Sequence, residues 1–287
     1  MGLLSLFSCL NVFAAQPSLE HYEAGNRAFG QGIAELDDGT ILEEERRLAP
    51  LASELLLGVK PMIRQGGNGM AIQAYLLGQF KQNGWQPMLV GYHGYPSAVP
   101  VSVNNQVANA QPTETAFPEA ALVKVELVAA SSRAHVAQAW TFATPNATEQ
   151  QRRLLAAARS ALQAGISRVR AGERVASIGE GIQEVLDANR MVAVHELAGY
   201  GMGAIRVQKP QVLGYKGVKG IAPSGDLMQV GQVLNVYVIA KDGAFGVRYA
   251  PPDFWTLLTT DGADSVMLSA MVEVTADGHR VLGRLLD

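Results

Sequence analysis

Four residue types recur at one fixed offset, and that offset limits the fold more than any single motif does. Arg64, Gly66, Ile72 and Asn83 each meet their own residue type 106 positions later, at Arg170, Gly172, Ile178 and Asn189. The matches fall at the same place in two blocks that both read as helix, helix, strand. This predicts duplicated halves that face each other, with any pocket between their sheets.

In the first block Leu42, Leu48, Leu51, Leu55 and Val59 recur at helical spacing over residues 40–60, and the charged run from Glu43 to Arg47 reads as a solvated face. The turn Gly66-Gly67-Asn68-Gly69 leads into a second helix with Ile72, Tyr75, Leu76 and Phe80, ending near Asn83-Gly84. Residues 99–103 and 122–128 read as strands, and Pro96, Pro100, Pro112 and Pro118 mark the turns. The second block repeats the order. A long helix over 148–169 carries Leu154, Leu155, Ala158, Leu162 and Ile166 on one stripe, and Thr148 with Gln151 matches a capping box. A shorter helix over 177–189 follows, then strands at 192–195, 233–239 and 266–275. The predicted class is α+β, with helices segregated from curved, mostly antiparallel sheet.

Composition closes off several functions. With 48% apolar and 17% charged residues the chain can build a sizeable core, and a net charge of −3 with scattered Lys and Arg argues against nucleic acid as a partner. Cys9 stands alone, so no internal disulfide, Cys-based zinc site or paired redox motif is available. Residues 1–39 read as an N-terminal extension and 40–287 as one domain. Within the extension, residues 1–15 are mostly apolar and end in Val12-Phe13-Ala14-Ala15-Gln16, which is similar to a signal-peptidase site, yet no Lys or Arg precedes them. A cytoplasmic protein with an uncut N-terminus is expected, and an exported one is the alternative. No later stretch approaches the ~20 apolar residues of a membrane-spanning helix.

Four short stretches then carry a family resemblance. They are Gly91-Tyr92-His93-Gly94-Tyr95-Pro96 running into Val101-Ser102-Val103-Asn104; Gly199-Tyr200-Gly201-Met202-Gly203 followed by Pro210-Gln211-Val212-Leu213; Gly231-Gln232-Val233; and Asp253-Phe254-Trp255-Thr256 with Asp261. In this order the chain resembles the methionine aminopeptidase/creatinase family over roughly residues 40–285, and the resemblance implies the two-lobed pita-bread fold. It also implies where chemistry should sit. Active members hold two divalent metals with two Asp, one His and two Glu, and use two further His residues on the substrate side.

Carried onto this sequence, the first metal-binding Asp corresponds to Glu126 and the second to Val136, with His135 beside it. The metal-binding His corresponds to Tyr200, and the two Glu positions to Tyr237 and Ser269. The substrate-side His residues fall at Asn109 and Val207. A phenol would have to give up a proton of pKa ≈ 10 to ligate, and the one carboxylate left of four cannot by itself hold a pair of cations. The expectation is therefore no metal, no cofactor and no metalloaminopeptidase activity.

What fills the cavity instead stays open at this point. Asn109, Glu126, Tyr200, Tyr237 and Ser269, with His93 in the entry segment, are candidate ligand-binding residues for a small molecule, peptide or protein partner. The alternative is a cavity plugged by Tyr200 and Tyr237, whose hydroxyls would bond Glu126 and Asn109. A metal-independent enzyme using Glu126, His93 and Tyr200, and a single ion held by Glu126 and His135, are the remaining readings. His195 beside Glu196 reads as a strand residue, His21, His279 and the triplet Asn146-Ala147-Thr148 carry no argument, and the Met residues read as core filler.

Overall fold

Polar side chains close the helix ends where the sequence places them. In the computed structural model, which describes residues 18–217 and 225–285, α1 (Leu19–Ala34) is capped by Ser18 and α2 (Asp38–Val59) by Asp37, which accepts from the Thr40 amide at 2.9 Å. The apolar stretch 1–15 lies outside the described residues. Asn68 caps α3 (Gly69–Asn83), and Gly84 ends it with φ 67°, a left-handed conformation that glycine adopts without a Cβ penalty.

The first half continues through the short strands β1 (Gln86–Pro87), β2 (Val101–Val103) and β3 (Gln106–Ala108) into the long hairpin of β4 (Leu122–Ala130) and β5 (His135–Ala143). The second half opens with α4 (Glu149–Ser167), where Thr148 and Gln151 complete the capping box in both directions, and α5 (Ala176–Ala188). Moving α3 forward by 106 positions gives 175–189, which coincides with α5 to within a residue at each end. Then come β6 (Val192–Ala193), β7 (Gly199–Met202), β8 (Gln208–Val212), β9 (Val233–Lys241), β10 (Val247–Tyr249), β11 (Leu257–Thr259), β12 (Ser265–Thr275) and β13 (Gly278–Leu282).

All pairings are antiparallel. β4 sits between β1, β2 and β5 in one sheet; β13, β12, β9, β7 and β8 follow in order in the second, with β6 on β9; and β10, β11 and β3 form a third. The halves meet at a seam between β5 and β12. β13 pairs with only the second part of β12, from Met271 on, so the edge of its first part turns to β5. Side chains, not a main-chain ladder, close this seam: Thr141 Oγ1 donates to Met267 O at 2.8 Å and accepts from Met267 N at 2.9 Å, and Ala139 N donates to Ser269 Oγ at 2.9 Å. α2 covers β5 and α4 covers β9 and β12, so each half buries one helix on its own sheet.

Two expectations are corrected here. The charged run on α2 is not simply a solvated face, because Glu44 and Glu45 are 7% and 1% exposed. Glu45 shares a helical stripe with Ile41, Leu48 and Ala52, and charge alone does not reveal which side of the helix it takes. His195 lies beyond the end of β6 rather than within a strand, and its ring stacks on Tyr215 at 3.7 Å.

Candidate functional site

A ladder of side chains crosses the seam. Glu126 on β4 pairs in register with Ala139 on β5, Ala139 N donates to Ser269 on β12, and Ser269 pairs in register with Tyr237 on β9. The rings of Tyr237 and Tyr200 pack 5.9 Å apart. Asn235, the register partner of Tyr200, donates to the Tyr200 hydroxyl at 3.4 Å and to Ala137 O at 3.2 Å. Five of the six candidate residues therefore form one constellation, assembled from both halves.

Their roles differ from those expected. Glu126 takes its hydrogen bond from the main chain, since Asn109 N donates to its Oε1 at 2.9 Å, and no phenol bonds it among the described hydrogen bonds. Asn109 adopts φ 57°, and Tyr95 Oη donates to its carbonyl at 3.1 Å. Ser269 is fully buried and its hydroxyl is engaged in holding β5. Burial pushes the Glu126 carboxyl up to about 7, against the pull of the Asn109 amide and of Lys124. Burial above all, then the neighbouring Tyr200 and Glu126, raises the Tyr237 phenol.

Lys124 is not among the sequence candidates, although its position two residues before Glu126 in a strand puts it on the same face. It is 1% exposed, and its Nζ donates to Asn104 O at 2.8 Å and Ser265 O at 2.9 Å, which ties the loop after β2 to the start of β12. Burial lowers its pKa to about 7, and Asp264 and Glu126 oppose that change.

His93 and His135 belong to a different place. Both line a cavity of about 480 Å³ beneath α1, together with Tyr92 and Arg206. Glu126 is not in that wall. The pairing of Glu126 and His135 as ligands of a single ion is corrected by register: Glu126 faces Ala139, and His135 lies four residues further along β5, about 13 Å away at the rise of a strand. His135 is 1% exposed, and burial together with the neighbouring Arg206 lowers its pKa to about 4.

The description of metallopeptidase family M24 matches residues 43–276, so the chain belongs to this family. It is 25% identical over 247 residues to methionine aminopeptidase 1 of Bacillus subtilis, a match covering 86% of this chain and 96% of the relative. With the methionine aminopeptidase of Salmonella typhimurium the identity is 26% over 84% of this chain and 90% of the relative. The crystal structure of methionine aminopeptidase from Thermotoga maritima superposes with a TM-score of 0.80 at 24% identity, covering 85% of this chain and 97% of that one. That from Rickettsia prowazekii gives 0.79 at 20% identity, covering 84% and 96%. The fold is thus the α+β pita-bread fold of methionine aminopeptidases. Among the described residues no helix is long and apolar enough to cross a membrane.

Proposed function

We propose that this chain is a methionine-aminopeptidase-like protein without metal-dependent peptidase activity, which uses its cleft to bind a peptide or small molecule. The donor set at the seam supports this reading most directly. A pair of divalent cations asks for several converging carboxylates or imidazoles. Around Glu126 stand a lysine, two phenols, a hydroxyl committed to the seam and an asparagine that contributes through its main chain. Val136, the position carried over for the second metal-binding Asp, pairs with Ala129 and so faces away from Glu126, and Ala139 and Ala137, the β5 residues opposite and beside Glu126 on its own face, are buried and apolar. These residues do not fit a dinuclear centre, and among the described residues no group of three or more His, Cys, Asp or Glu is arranged to hold a metal ion.

Purified protein supplied with cobalt or manganese is expected to release no methionine from a Met-Ala-Ser peptide above the blank, measured by amino-acid analysis. Release that depends on the added metal would contradict the reading.

One observation favours a second reading, a metal-independent enzyme. Glu126 and Lys124, on one face of one strand, both have proton affinities near neutrality, which suits acid–base work. His93 drops out of that constellation because it lines the other cavity.

A further inference from the structure

The cavity beneath α1 has walls of two origins. Glu23, Asn26, Arg27 and Gly30 come from α1, which lies ahead of the residues matched to the family at 43–276, whereas Tyr92, His135 and Arg206 come from within them. The roof is therefore not part of what the family match describes. Met88, Ala34, Ala204 and Ile205 add apolar surface, and about 480 Å³ is within the range that holds a small organic ligand.

Two buried polar atoms in this wall lack hydrogen-bond partners among the described residues. Arg206 is 9% exposed and lies over the ring of Tyr92, its Cζ 4.3 Å from the ring centroid, yet its Nη2 has no hydrogen-bond partner among the described residues. His135 is 1% exposed, and its Nδ1 has no partner among them either. A buried donor left without an acceptor is costly, more so when it is charged, so a ligand that accepts from these groups gains what the empty cavity forgoes. His135 is neutral at pH 7, since burial and Arg206 keep its pKa at about 4, and in the tautomer protonated at Nδ1 it offers one further donor. Glu23 and Arg27, of opposite sign, offset each other in the wall and leave the guanidinium of Arg206 to set the charge of the ligand.

We propose that this cavity binds a monoanionic carboxylate on an apolar body, the carboxylate meeting Arg206 and His135 and the body lying along Met88, Ile205 and α1. A planar guanidinium matches a carboxylate through two parallel N–H donors. A phosphate monoester carries nearly two negative charges, one more than the guanidinium of Arg206 offsets, so it is the weaker ligand. The cavity is distinct from the Glu126 constellation, so the two proposals fail separately: methionine release would overturn the loss of peptidase activity alone, and lack of carboxylate binding would overturn the carboxylate site alone.

Calorimetric titration of the full chain with decanoate, decanol and decyl phosphate, each kept below its aggregation concentration, tests it. Decanoate is expected to bind one to one, with the other two at least about tenfold weaker, the factor that about 1.4 kcal/mol of charge-assisted bonding corresponds to. Arg206→Gln should weaken decanoate about tenfold and leave decanol unchanged. Gly30→Phe is the second variant. A Cβ at Gly30 meets nothing within 4 Å, so the ring has room to enter the cavity and should remove decanoate binding even if the Arg206 variant does not fold. Equal binding of decanoate and decanol, binding of decyl phosphate as tight as decanoate, or decanoate binding unchanged in Gly30→Phe would each overturn the proposal.

Discussion

A Glu45→Gln variant is expected to be more stable than the parent at pH 8 and to escape most of the stability loss that the parent undergoes between pH 4.5 and pH 8. Glu45 faces inward on α2 at 1% exposure, and its Oε1 has no hydrogen-bond partner among the described residues. Burial, and then the nearby Glu273, push its carboxyl up to about 8 from an ordinary value of 4.5. Glu273 itself is gripped by Arg46 through two bonds of 2.6 and 2.9 Å. The sign follows from proton uptake: between pH 4.5 and 8 the folded chain holds a proton at Glu45 that the unfolded chain has released, so stability falls as pH rises through this window. The contribution is complete below pH 4.5 and gone above about 8.

Each pH unit of this window is worth about 1.4 kcal/mol, so the loss across it is on the order of 4 kcal/mol. Glutamine keeps the shape and cannot ionise. Urea unfolding of both proteins at pH 5, 6.5 and 8 isolates the effect, because Glu126, Lys124 and His135 titrate in both. Parallel stability profiles would show that Glu45 is not the buried acid described here.

Thr141→Val is expected to cost about 3 kcal/mol, because it leaves Met267 N and Met267 O buried and unbonded at about 1–3 kcal/mol each. Valine keeps the branched shape, so little packing is lost, and the penalty reads the seam rather than the core. Ser269→Ala removes one acceptor, that of Ala139 N, and should cost less than the Thr141 change. A chain of this size shifts its Tm by roughly 2–4 °C per kcal/mol, so Thr141→Val should melt about 10 °C lower by circular dichroism. A shift of a degree or less would mean that the two sheets are not joined through this hydroxyl.

Much of the fold is legible in the sequence because local chemistry agrees with the tertiary plan. The 106-residue offset finds α3 and α5 together, the Thr148–Gln151 box marks the start of α4, and Gly84 marks the end of α3. α1 escapes a sequence reading because its apolar signal is thin: Ile33 is its one buried residue, while Tyr22 and Phe29 are only partly covered. The neighbours of Glu126 are partly legible. Motif positions give Tyr200, Tyr237 and Ser269, but the bond from the Asn109 amide depends on a left-handed backbone at Asn109, which asparagine tolerates better than most residues but does not by itself require. Lys124 can be found from strand alternation alone, being two residues from Glu126. The convergence of His135, Arg206 and α1 cannot, since it joins three segments far apart in sequence.

Metal analysis bears most directly on the chemistry at the seam. Protein purified without chelator, equilibrated with excess manganese or cobalt and freed of loose ions by gel filtration, is predicted to carry well under one equivalent of either metal by mass spectrometry, because the lone carboxylate Glu126 already accepts the Asn109 amide and shares its strand face with Lys124. Two tightly held equivalents, lost on chelation and restored on addition, would contradict it.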